Sequence, residues 1–125
     1  MLTKTAHLRI IINADYETAA KNILAEIVNS ISIEIQSLTE LKRYEDDFHY
    51  EVSFSVEISA KNIFEMEYKA FKLCTSMANG PWLFTNLPKV ENDFTFEAIF
   101  NPEAFILHSP EFSNKLKWAH LEITQ

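Results

Sequence analysis

The nine residues Tyr50-Glu51-Val52-Ser53-Phe54-Ser55-Val56-Glu57-Ile58 alternate apolar and polar side chains without a break. Side chains along an extended strand point alternately to its two sides, so a period of two fits a strand with one side in a core and the other turned to water or a partner. The uncovered side of this strand carries Glu51 and Glu57. A fold built around it needs a sheet whose second face stays free of helices.

The rest of the chain supplies that sheet and its cover. Leu8-Arg9-Ile10-Ile11-Ile12 is short, apolar and β-branched, and Asn13-Ala14-Asp15 ends it, which predicts a central, well-buried strand over 6–13. Asp15 is placed to cap a helix whose apolar stripe runs through Tyr16, Ala19, Ala20, Ile23, Leu24, Ile27 and Val28 and which closes near residue 29. Ile31, Ile33 and Ile35 alternate with Ser32, Glu34 and Gln36, giving a second strand over about 31–42 that forms an antiparallel hairpin with the alternating strand. Ser59 or Asn62 caps a second helix with the stripe Ile63, Met66, Ala70, Leu73, Cys74 and Met77, flanked by Phe64 and Phe71.

Asn79-Gly80-Pro81 ends that helix, with the only glycine at the expected left-handed terminus. Trp82–Thr85 reads as a short strand, and Phe94, Phe96, Ala98 and Phe100 mark one side of another. Asn101-Pro102-Glu103-Ala104 predicts one helical turn, and Leu116 to Ile123 forms the last strand. A chain of 125 residues is the size of one domain, so residues 1–125 are expected to form a single α+β domain. The element order predicts a mainly antiparallel sheet with two helices on one face: a ferredoxin-like β-α-β-β-α-β core with additional C-terminal strands.

Composition removes several function classes. With one glycine, Gly80, the chain has neither a phosphate-binding loop nor a G-x-G-x-x-G turn, and ten Phe are expected to fill the core. Eighteen acidic residues against 11 basic ones give a net charge of -7, which disfavours nucleic acid and favours a basic protein partner. No apolar run is long enough to span a membrane. Cys74 has no partner for an internal disulfide and residues 1–12 do not resemble a signal peptide, so the expected location is cytoplasmic.

His7, His49, His108 and His120 have no ligand spacing, Cys74 lies on a core stripe, and no nucleophile stands beside a base in sequence. No cofactor, metal or catalytic residue is predicted. The suggestive feature is collective. Glu45, Asp46 and Asp47 crowd the hairpin, while Glu34, Glu51, Glu57 and Glu97 are expected on the helix-free face among Ser32, Ser53, Ser55 and Thr95. In the last strand Trp118, His120 and Glu122 share one side and Ala119, Leu121 and Ile123 the other. Trp118 is thus either an anchor displayed on an acidic face or part of the core. An ordinary solvated face is the competing account of the same carboxylates.

Phe94-Thr95-Phe96-Glu97-Ala98-Ile99-Phe100-Asn101, followed by Leu116-Lys117-Trp118-Ala119-His120-Leu121-Glu122-Ile123, in a small, acidic, aromatic-rich chain, resembles the immunity proteins of bacterial polymorphic toxin systems, including contact-dependent growth inhibition. The resemblance implies a non-catalytic inhibitor that binds a cognate toxin with a basic surface, often a nuclease domain, inside the cell. Glu45, Asp46, Asp47, Glu51, Glu57 and Glu97 would then meet basic toxin residues, with Trp118 and His120 beside them. Two alternatives stand: a ferredoxin-like ligand-binding or regulatory module that homodimerises through its sheet, and a small enzyme assembled from scattered groups such as His49, Glu51 and His120.

Overall fold

The computed structural model describes residues 1–44, 48–85, 94–102 and 115–124. The element order is β1 (Leu2–Asn13), α1 (Glu17–Ile31), β2 (Ile35–Leu38), β3 (Lys42–Arg43), β4 (His49–Ala60), α2 (Ile63–Met77), β5 (Trp82–Phe84), β6 (Phe96–Phe100) and β7 (Leu116–Ile123). All seven strands join one antiparallel sheet in the order β2-β4-β1-β7-β6-β5, with β3 also on β4. This is the expected α+β architecture. In β1-α1-β2 the two strands run parallel with β4 inserted between them, the split unit of a ferredoxin-like core. The last strand, β7, takes the place beside β1, while β5 and β6 extend the sheet beyond it.

Alternation decides which side is covered. Ala6, Leu8, Ile10 and Ile12 of β1 align with Val56, Phe54, Val52 and Tyr50 of β4 and, through Ala6, Leu8 and Ile10, with Ile123, Leu121 and Ala119 of β7, all buried. The helices lie on this side: α1 packs on β1 and α2, and α2 on β4, β1 and β6. The α2 stripe Ile63, Met66, Ala70, Leu73, Cys74 and Met77 is buried at every position, and Phe94, Phe96, Ala98 and Phe100 join the same core. No helix among the described residues is long and apolar enough to cross a membrane.

Several local expectations change. Helix α1 starts two residues after Asp15, with Tyr16 at its N-cap and no side-chain cap bond, so Asp15 does not cap it; the Asp15 carbonyl instead accepts from Arg43. Ile31 belongs to α1 rather than to a strand, because it extends the stripe one turn past Ile27. The predicted 31–42 strand is two short pieces, β2 and β3, with a register shift between Ile35 and Ser37. The left-handed helix terminus is at Ser32 after α1, φ 57°, whereas α2 ends on an extended Ala78 and Gly80, φ 145°, serves the turn into β5.

Asn62, not Ser59, caps α2: its side chain accepts from the Glu65 N–H, and Glu65 accepts from the Lys61 N–H. That backbone bond holds the Glu65 carboxyl below its ordinary range. The phenylalanines do not all enter the core. Phe54, Phe94, Phe96 and Phe100 are buried, but Phe48, Phe64, Phe71 and Phe84 are exposed. The predicted turn at 101–104 and His108 lie largely or wholly outside the described residues.

Candidate functional site

The helix-free face is a grid of cross-strand rows fixed by register. Glu51, Ile11 and Trp118 form one row from β4 through β1 to β7. Ser53, Arg9, His120 and Ile99 form the next, reaching β6. Ser37, Ser55, His7, Glu122 and Glu97 form the third, running from β2 to β6. Residues opposite one another in a row, and their diagonal neighbours, are within side-chain reach.

A continuous network crosses these rows. Arg9 donates through Nε (3.1 Å) and Nη2 to Oε2 of Glu51. The Arg9 guanidinium also sits 5.4 Å from the centroid of the Trp118 ring. Trp118 stacks on His120 with ring centroids 5.8 Å apart at 18°. His120 Nε2 lies 2.8 Å from Oε2 of Glu97 and 4.0 Å from Oε2 of Glu122. The hydrogen bond from His120 holds the Glu97 carboxyl below its ordinary range. Thr85 Oγ1 is 3.4 Å from the other Glu97 oxygen. Beside this network a hollow of about 250 Å³ is lined by His7, Arg9, Ser37, Ser53, His120 and Glu122 among others.

The structure thus brings Glu51, Glu57, Glu97, Trp118 and His120 to one face, with Glu122 among them. Glu45, Asp46 and Asp47 lie outside the described residues. Ser32 is the cap of α1, and Glu34 precedes β2, so neither belongs to the strand grid; Thr95 lies just before β6. Trp118 is partly buried and packs against Arg9 and His120, which places it on the helix-free side. His120 meets Glu97 rather than Glu51, from which β1 separates it.

Sequence reasoning missed Arg9, the centre of the network. β1 is central as expected, but its helix-free side is only partly covered: His7 and Arg9 are exposed there, while Ile11 is buried. A charge inside the run Leu8-Arg9-Ile10-Ile11-Ile12 was the available signal, because a strand covered on both sides has no place for a guanidinium. Arg9 also means that the carboxylates do not stand alone; the face is acidic around a cation.

A second surface carries phenylalanines that composition assigned to the core. Phe64, Tyr68 and Phe71 occupy one side of α2 at i, i+4 and i+7, away from the buried stripe, with Phe64 69% and Tyr68 59% exposed. Phe84 of β5 meets Phe71 at 5.0 Å, and together with Glu67, Thr85 and Phe96 these rings line a groove of about 410 Å³. No family model, curated protein or solved structure matches the chain.

Proposed function

We propose that the chain is a non-catalytic immunity-type protein that neutralises a cognate basic toxin, of the nuclease kind, by docking it on the helix-free face of the sheet in the cytoplasm. The observation that carries this reading is Trp118, half-buried and packed on Arg9 and His120, which in turn bond Glu51 and Glu97. A large ring held rigid by its neighbours is the kind of residue that concentrates binding energy, since little of its freedom is left to lose. The surrounding carboxylates and a net charge of -7 favour fast encounter with a cationic surface. Glu57, at the margin of the same face, hydrogen-bonds to Gln36 and keeps its charge exposed.

The test is the association rate with the protein captured from the source cell, the product of the adjacent reading frame being the first partner to try. The rate should fall steeply as ionic strength rises, and Trp118→Ala should weaken the complex by about 30-fold, the equivalent of a 2 kcal/mol hot spot. A rate indifferent to salt, together with unchanged affinity in Trp118→Ala, would refute the reading. The exposed rings of Phe64, Tyr68 and Phe71 support a second one, in which the partner docks in the aromatic groove; Phe64→Ser with Phe71→Ser would then abolish binding while Trp118→Ala would not. Sedimentation of the chain alone distinguishes both from a homodimer formed through the sheet.

A further inference from the structure

The β6–β7 register sets Glu97 directly opposite Glu122, and His120 lies two residues from Glu122 on the same face. Like charges facing each other across a strand pair repel, so the position is unfavourable unless a cation stands between them. One oxygen from each carboxylate and a ring nitrogen of His120 all lie within 4.8 Å of one another. We propose that Glu97, His120 and Glu122 form a binding site for a divalent transition metal of the zinc type, with its remaining coordination position open to the adjoining hollow.

The donor set selects the ion. One imidazole and two carboxylates suit zinc and its neighbours; the ring nitrogen is a poor ligand for magnesium or calcium, and the set has no thiolate for copper(I). Zinc bonds to nitrogen and oxygen of about 2.0–2.2 Å put tetrahedral donors about 3.4 Å apart. The pairs His120–Glu97 at 2.8 Å and His120–Glu122 at 4.0 Å bracket that spacing, so side-chain rotation alone closes the site. A divalent ion also balances both carboxylates, which one imidazolium cannot do.

The surroundings orient these donors. Thr85 contacts the Glu97 oxygen that does not face His120, leaving Oε2 for the ion. Trp118 stacks on the His120 ring and restricts its rotation. The site spans two adjacent strands of a continuous sheet, so its frame is rigid, and its ligands are only partly buried, so an ion has a path in.

Titration calorimetry of the full chain with zinc chloride tests this, supported by the visible spectrum of the cobalt(II) form. The expected result is one ion per chain, bound about tenfold or more weakly by Glu97→Gln and by His120→Ala, with Glu57→Gln on the same face unchanged. Glu97→Gln preserves size on a partly exposed surface, so it stays informative if His120→Ala unfolds; circular dichroism checks both. No binding by the wild type, or binding equally strong in Glu97→Gln and in a folded His120→Ala, overturns the proposal.

Discussion

Replacing Trp118 by alanine measures directly which side of the sheet the ring occupies. On the helix-free face its packing partners are the Arg9 guanidinium and the His120 ring. A cation–π contact at an exposed site is worth about 0.5–1 kcal/mol, and a stacked aromatic pair adds about 0.5–1.5 kcal/mol. The expected loss is therefore about 1–2.5 kcal/mol. A Trp removed from a closed core would cost about 3–5 kcal/mol. Leu121, three residues along the same strand and fully buried on the helix side, is the internal reference, with an expected cost of about 2–5 kcal/mol for Leu121→Ala.

Urea unfolding of both variants, with the m-value checked for constancy, gives the comparison. Trp82 is buried and bonds through its indole N–H to the Ala78 carbonyl at 3.0 Å, so it remains as a fluorescent reporter in Trp118→Ala. The double variant with Arg9→Ala should show a coupling of about 0.5–1 kcal/mol, the cation–π share alone. Iodide should quench wild-type emission more than emission from Trp118→Ala. A Trp118→Ala loss above about 3 kcal/mol, or zero coupling to Arg9, would refute the face assignment on which the proposed docking surface depends.

Three further outcomes follow from local geometry. Burial pushes the Cys74 thiol up to about 12, so at pH 8 it should resist a thiol reagent in the folded chain and react promptly in denaturant; rapid native-state modification would contradict its place on the buried stripe of α2. The Glu65 carboxyl is held below its ordinary 4.5, so its charge stabilises the fold above that pH and the effect is lost as pH falls through the lower folded value. The difference in unfolding midpoint between wild type and Glu65→Gln should accordingly be present at pH 7 and shrink as the pH is taken progressively below 4.5, and a constant difference would show that the charge has no role. Ser32 sits at φ 57°, a conformation that costs a non-glycine residue about 1 kcal/mol, so Ser32→Gly should raise stability by about that amount in the same urea assay, and a loss would contradict the left-handed cap.

Elements whose signals agreed at every level were legible. In α2 a cap residue at the start and six apolar positions with helical spacing pointed to one helix, and β7 has the predicted bounds although a register shift at Lys117 breaks its alternation at the start. The α1–β2 boundary was not legible because Ile27 and Ile31 continue a helical stripe while Ile31, Ile33 and Ile35 also alternate, and helix packing decided between them. The candidate face was half legible. Strand parity placed Glu51, Glu57, Glu97, Trp118 and His120 on one side, but which residue faces which depends on pairings far apart in the chain, such as Glu97 with Glu122 and Arg9 with Glu51. Phe64 and Phe71 were misjudged because composition counts rings without saying which side of a helix carries them.

The face combines two properties that ordinarily conflict: it is preorganised, and its internal bonds are easily exchanged. The Arg9–Glu51 pair is substantially exposed, where an ion pair contributes about 0–1 kcal/mol, so a cationic partner can take Glu51 at little cost while Arg9 keeps the carboxylate oriented until then. The Glu97–His120–Glu122 cluster has the opposite logic. A divalent ion there would cancel two negative charges in the cluster that meets Trp118 through His120, and a partner drawn to those charges would lose attraction by the same free energy with which it disfavours the ion. If both proposals hold, zinc and the basic partner are therefore mutual antagonists on one surface. The antagonism must weaken in Glu97→Gln, because that variant removes one of the two charges the ligands share and weakens the ion's hold.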